Sequence, residues 1–166
     1  KQQKTFSGLP YGPCVDGQLL EQSVYEVAQQ NKELDIPYMI GYTSEDIAPD
    51  KMKQAAVDWS LLLERQGRRP AYVYCFSRDL PGEDMPAPEG GFGDMKGAFH
   101  SSELWYMFGT IDQCWRPMEE SDYELSERMV SYWTNFARTG DPNGDGLPEW
   151  KPCTQANTYI QDLNVK

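Results

Sequence analysis

The chain has 166 residues with 26 acidic and 15 basic groups, a formal net charge of −11. A surface of that sign repels phosphate backbones and anionic lipid, so neither nucleic acid nor a membrane is expected as a partner. Five Trp, ten Tyr and six Phe exclude a chain that buries nothing, no apolar run reaches the roughly 18 residues that a bilayer span needs, and the length suits one domain with a modest core.

Residues 1–7 lack the apolar stretch of a secretion signal. A first residue other than Met fits processing or truncation, and a fragment leaves room for a signal ahead of Lys1. The four cysteines, Cys14, Cys75, Cys114 and Cys153, are widely spaced with no C-x-x-C pair, and His100 is the sole histidine, which argues against zinc. They read as free, mostly buried thiols, a pattern that leans towards the cytoplasm. No metal or organic cofactor is implied.

Along the chain, residues 1–18 are rich in Gly and Pro and read as loop. Residues 18–30 suit a short helix. Residues 36–42 (IPYMIGY) form a nearly continuous apolar run, the pattern of a strand buried on both faces. A polar loop, Thr43 to Asp46, follows. Asp50 is placed to cap the next helix, in which Met52, Ala55, Ala56, Trp59, Leu62 and Leu63 recur at helical spacing and after which Gly67 stands as a C-terminal cap. Residues 71–76 (AYVYCF) are a second buried strand. Strand, helix and strand make a βαβ unit of two parallel strands with a right-handed crossover.

A long acidic loop, residues 77–96, leads to His100, then a short helix is expected over 101–108. A long helix is expected over 122–139, with Leu125, Met129, Tyr132, Trp133 and Phe136 on one face, Ser121 or Asp122 as cap, and Gly140 and Pro142 as terminators. Arg138 and Asp141 are placed to tie this helix to the body, and Pro142 and Asn143 read as turn chemistry. Residues 150–166 read as loop with a short extended piece over 158–163. Two parallel strands are too few for a self-sufficient sheet, so the chain reads as one flank of a larger one.

His100 follows the second strand across a loop and precedes a helix. That placement suits a catalytic base anchored at the strand's C-terminal edge yet able to reach sideways. The surrounding GAFHSSELWYMFG at 97–109 resembles the histidine motif of type B carboxylesterases and cholinesterases, G-x-x-H-x-x-E-L-x-Y-x-F-G. PCVDG at 13–17 resembles that family's P-x-x-D-G segment, and YWTNFARTGDPN at 132–143 resembles its Y-W-x-x-F-A-x-T-G-x-P-N signature. Residues 36–46 resemble the strand and loop presenting the triad acid, written G-x-x-x-x-E-G in many members.

The resemblance covers essentially all 166 residues. It implies the C-terminal portion of an α/β-hydrolase fold, a βαβ unit of parallel strands followed by a histidine loop and helices, forming one segment over 1–166. It implies His100 as triad base. Counted from Gly41, the acid falls on Asp46, with Asp in place of Glu and Ile47 in place of the following Gly; Glu45 is the second candidate, and a solvated acidic turn is the third reading. Glu103 is expected to brace the imidazole loop by hydrogen bonding, and Trp105, Tyr106 and Phe108 to line the substrate pocket or the core.

Neither a G-x-S-x-G nucleophile elbow nor an H-G-G-G oxyanion segment occurs. In this fold the triad runs Ser, acid, His, so the serine is expected upstream. The resemblance thus implies a serine esterase acting on small carboxylic esters. The isolated chain is expected to be inactive, to partner the missing N-terminal part, and to self-associate through exposed strand edges. The alternative is a silent, cholinesterase-like domain whose surface binds another protein. Family members are often secreted, against the lean given by the thiols.

Overall fold

The structure is a computed structural model that describes residues 14–85 and 95–165. The start of the chain through Pro13, and residues 86–94 of the long loop, lie outside the described residues. The chain divides into two compact units, 1–35 and 36–166, each considered by itself.

In the first unit the helix begins later than residue 18. The Asp16 carboxylate accepts the backbone N–H groups of Gln18, Leu19 and Leu20 at 2.9, 2.9 and 3.1 Å, which uses them in a tight turn instead. Ser23 then caps α1, Val24–Gln29, its hydroxyl accepting the Glu26 N–H at 3.2 Å while the Glu26 carboxylate accepts the Ser23 N–H at 2.9 Å.

The second unit is built on a three-stranded parallel sheet. β1, Met39–Thr43, pairs with β2, Tyr72–Phe76, and β2 with β3, Gln161–Leu163, in the order β1-β2-β3. The strand expected from residue 36 starts at Met39, since Pro37 has no N–H to give a ladder. β1 is not buried on both faces as its apolar run suggests. Thr43 is buried and the other four residues are half-buried, because β1 has β2 as its one neighbour among the described residues. The extended piece expected near 158–163 is the third strand.

The side chains of β2 alternate. Val73 faces a cluster with Ala56 and Cys153, against which Ile40, Val57 and Ile160 pack. Tyr72, Tyr74 and Phe76 face the larger core, which includes Tyr106, Leu125, Met129, Tyr132 and Trp150. Gly41 opposes Tyr74 in the register, and a Cβ there would run into the Tyr74 ring. Trp150, in a segment with no periodicity, is fully buried at the centre of this core. Its ring centre lies 5.2 Å from that of Tyr132 and 6.1 Å from that of Trp133, and its Nε1–H donates to Val73 O at 3.2 Å.

α2, Pro49–Arg65, packs on β1 and β2. Its cap is Ala48 rather than Asp50, because Pro49 occupies the first helical position, where a missing N–H costs nothing. Ser60 is buried on its inner face, accepting the Ala71 N–H at 2.7 Å and donating to Cys153 O at 2.6 Å. α3, Leu104–Met107, is shorter than expected. A single 3-10 turn, Ile111–Gln113, separates it from α4, Glu120–Thr139.

α4 is capped by Glu119, not by Ser121 or Asp122. Asp122 stands one turn in and accepts the Glu119 N–H at 2.9 Å. Gly140 ends the helix at φ +76°, as expected, where a Cβ would sit 2.6 Å from Pro37 Cγ. Arg138 bonds Asn135 of its own helix at 3.2 Å rather than the body. Asn143 does more than turn, pairing with the Trp150 backbone through Nδ2–H to O at 2.9 Å and N–H to Oδ1 at 2.7 Å. The cysteines are unpaired, but of the four Cys153 alone is buried, with Cys14 exposed.

Candidate active site

Parallel pairing of β1 and β2 brings their C-terminal ends side by side, and the loops leaving those ends carry the candidate residues. The acid loop prolongs the ladder by one bond, Ser44 N–H to Phe76 O at 2.9 Å. It is then joined to the histidine segment by Glu45 N–H to Ala98 O at 3.0 Å. The approach is close: Gly97 has φ +63°, and a Cβ on it would lie 2.7 Å from Glu45 Cγ. Gly97 itself donates its N–H to Glu83 Oε1 at 3.0 Å.

One residue beyond Glu45 and two beyond Ala98, Asp46 Oδ2 and His100 Nδ1 lie 3.0 Å apart. The Asp46 side chain is 5% exposed and the imidazole 63%. Thr43 Oγ1–H donates to the same carboxylate oxygen at 3.2 Å, and the Ile47 N–H to Oδ1 at 2.7 Å. Burial works to raise the Asp46 carboxyl, but the hydrogen bond from His100, the Ile47 N–H, the imidazole charge and the Thr43 hydroxyl outweigh it and hold it below the ordinary aspartate value. The carboxylate therefore stays ionised at neutral pH and fixes one imidazole nitrogen, leaving Nε2 to exchange a proton.

Glu45, adjacent in sequence, lies against Gly97 instead of the imidazole. Glu103 makes no hydrogen bond to His100. Its Oε2 is buried without a hydrogen-bond partner, as is the neighbouring Ser102 Oγ. Burial pushes the Glu103 carboxyl up; the His100 charge acts the other way and the Asp46 charge adds to the rise. It therefore does not make the hydrogen-bonded contact expected of a brace. Of the three aromatic candidates, Tyr106 is core and hydrogen-bonded to Asp122 at 2.7 Å, Trp105 is half-buried against Phe99 at 6.3 Å, and Phe108 is 67% exposed.

Two parts of the site were not read from the sequence. Thr43 supplies a second donor to Asp46, a role that a polar residue ending an apolar strand signals weakly. Gly97 permits the two loops to touch, and its place three residues before the histidine was the available sign. Among the described residues no group of His, Cys, Asp and Glu side chains is arranged to hold a metal ion, and no helix is long and apolar enough to cross a membrane.

The carboxylesterase family model matches residues 47–166, a span that includes His100 and begins one residue after Asp46. Carboxylesterase 5A of the dog, Canis lupus familiaris, is 36% identical over 107 residues, which is 61% of this chain and 18% of that protein. Acetylcholinesterase of the chicken, Gallus gallus, is 33% identical over 104 residues, 62% of this chain and 13% of that protein. Among solved structures, a thermophilic PNB esterase gives a TM-score of 0.69 at 17% identity, covering 93% of this chain and 40% of that one. A second PNB esterase gives 0.68 at 18%, covering 94% and 40%. At that identity the likeness is one of fold, the α/β-hydrolase fold. The chain spans less than a fifth of the length of these curated relatives.

Proposed function

The chain belongs to the carboxylesterase family, and from that membership we propose that it supplies the acid and the base of a serine-esterase triad, Asp46 and His100. The observation that carries the reading is the 3.0 Å contact between Asp46 Oδ2 and His100 Nδ1 at the adjacent ends of two parallel strands. The rest of the arrangement supports it: a buried carboxylate held ionised, and an imidazole that is largely exposed.

The nucleophile comes from outside these 166 residues, which contain no G-x-S-x-G elbow. Its hydroxyl attacks the acyl carbon of a carboxylic ester as His100 Nε2 takes the proton. The imidazolium then returns that proton to the leaving alcohol. Water repeats the sequence on the acyl-enzyme, releasing the acid and restoring the serine. Asp46 keeps Nδ1–H in place and balances the imidazolium charge throughout. Oxyanion donors come with the serine.

By itself the chain has no covalent route and turns over no ester. The test is hydrolysis of a short-chain p-nitrophenyl ester by a polypeptide that joins these residues to their serine-bearing core, with His100→Ala beside it. Loss of roughly 10³-fold or more in kcat supports the reading. A folded parent protein that neither turns over the ester nor reacts with a serine-directed phosphonate contradicts it and favours a silent domain that binds another protein.

A further inference from the structure

Behind the histidine segment stands a buried arginine. Arg116 is 4% exposed. Its Nη1–H donates to Pro81 O at 3.0 Å and its Nη2–H to Met95 O at 2.6 Å. Those carbonyls lie near the two ends of the long segment between β2 and His100, so one guanidinium draws its ends together. The same group lies over Phe99, the residue before His100, with its central carbon 5.6 Å from the ring centre, and 4.9 Å from the Trp115 ring centre. Next to it, Pro117 rests on Gly82, where a Cβ would be 2.6 Å from Pro117 Cδ.

Packing alone does not account for a charge here. Arg116 Nε is buried without a hydrogen-bond partner, and among the described residues no carboxylate pairs with the guanidinium. Taking such a group out of water is costly, and an apolar side chain of similar volume would fill the space without that cost. What the guanidinium does that an apolar chain cannot is geometric. Its planar fork holds two carbonyls at once, and its face fixes an aromatic ring.

We propose that Arg116 is a positioning residue for His100: by joining the carbonyls of Pro81 and Met95 and bearing on Phe99, it sets the segment from which the imidazole reaches Asp46. This rests on the acid–histidine reading above. Without the fork the ends of the segment part, Phe99 loses its support, and the imidazole samples orientations in which Nδ1 no longer faces the carboxylate.

Because His100 is the one histidine in the sequence, its ring nitrogens give unambiguous signals in the full chain labelled with ¹⁵N-histidine. The ratio of the Nδ1–H to the Nε2–H tautomer of the neutral ring reports the bond to Asp46. The unsubstituted chain is expected to favour Nδ1–H by about tenfold or more, as a hydrogen bond to a charged acceptor does. In Arg116→Met the ratio is expected to fall several-fold while the thermal midpoint holds or rises. Arg116→Lys, which keeps the charge without the fork, falls too.

A retained Nδ1–H preference in Arg116→Met would overturn the proposal and leave the Asp46–His100 pair standing. Loss of cooperative unfolding in Arg116→Met would also overturn it, making the guanidinium a stability element. Absence of the preference in the unsubstituted chain would instead remove the acid–histidine reading, and the positioning role with it.

Discussion

Replacing Asp122 with alanine removes the acceptor of four donors at once. The carboxylate is fully buried and receives Arg78 Nε–H at 2.7 Å, Arg78 Nη2–H at 3.1 Å, Tyr106 O–H at 2.7 Å and the Glu119 N–H at 2.9 Å. These donors come from the segment just after β2, from α3 and from the cap of α4, so the truncation unpairs three parts of the chain at once. Removing one partner of a buried ion pair costs about 3–5 kcal/mol. The orphaned phenol and N–H add to this, while the 15% exposure of the Arg78 side chain lets water recover part of it. The expected loss is about 4 kcal/mol, a large share of the ~5–15 kcal/mol available to a domain. Urea unfolding at pH 7, followed by tryptophan fluorescence, measures it. Asp122→Asn, which keeps an acceptor and loses the charge, should cost about half as much, and Arg78→Met with Asp122→Leu should recover most of the loss.

The sign with pH follows from the same contacts. Burial works to raise the Asp122 carboxyl, but the bonds from Arg78, the Glu119 N–H and Tyr106 prevail and hold it below the ordinary aspartate value. A carboxyl depressed in the folded state contributes stability that is present above its unfolded pKa of about 3.9 and is lost as pH falls through the lower folded value. The unfolding free energy should therefore drop below about pH 4, and Asp122→Asn should flatten that drop. A cost under ~1 kcal/mol for Asp122→Ala at neutral pH would refute the reasoning, since that is the scale of an exposed pair.

Trp150→Ala should cost about 3–5 kcal/mol in the same unfolding assay, as a fully buried tryptophan with a bonded indole N–H leaves a cavity that the surrounding rings cannot fill. Gly97→Ala should cost about 1–3 kcal/mol, because its φ of +63° and its contact with Glu45 exclude a Cβ, and it should weaken the Nδ1–H signal of His100 by parting the two loops. Burial raises the Glu103 carboxyl, so its ionised form is disfavoured in the folded state and stability falls as pH rises above the unfolded glutamate value. Glu103→Gln should accordingly raise the thermal midpoint at pH 8 and leave it nearly unchanged at pH 4. The edge of β1 away from β2, which pairs with no strand among the described residues, and the exposed side chains of Ile47 and Phe108 should make the isolated chain associate, and sedimentation velocity showing a sharp, thermally stable monomer would contradict this.

Much of the second unit was legible because its signals are local. The apolar runs that become β1 and β2, the helical spacing of α2 and α4, and Gly140 each depend on a few neighbouring residues. What escaped depends on residues far apart. Trp150 has no periodicity around it, and its burial is set by Tyr132 and Trp133 of α4 and by a carbonyl of β2. Asp122 has the composition of a helix cap, yet Arg78 and Tyr106 draw it into the core. Asp50 lost its capping role to the proline before it, a competition between two local signals. At the site, the motif singled out His100, and the count from Gly41 preferred Asp46 to Glu45, but which acidic side chain meets the imidazole depends on backbone contacts that no count contains. The bond from Glu45 N–H to Ala98 O turns one acidic side chain against Gly97 and delivers the next to the imidazole. Arg116 carried no sequence sign, because its partners are main-chain carbonyls, which no residue pattern encodes.

The role of Asp46 as the triad acid is tested most directly by kcat/KM for a p-nitrophenyl ester, measured on the serine-bearing parent polypeptide with Asp46→Asn and Glu45→Gln compared side by side. A loss of roughly 10⁴-fold in Asp46→Asn, with Glu45→Gln within a few-fold of the unsubstituted protein, is the expected result. An unchanged Asp46→Asn, or the larger loss in Glu45→Gln, would contradict it.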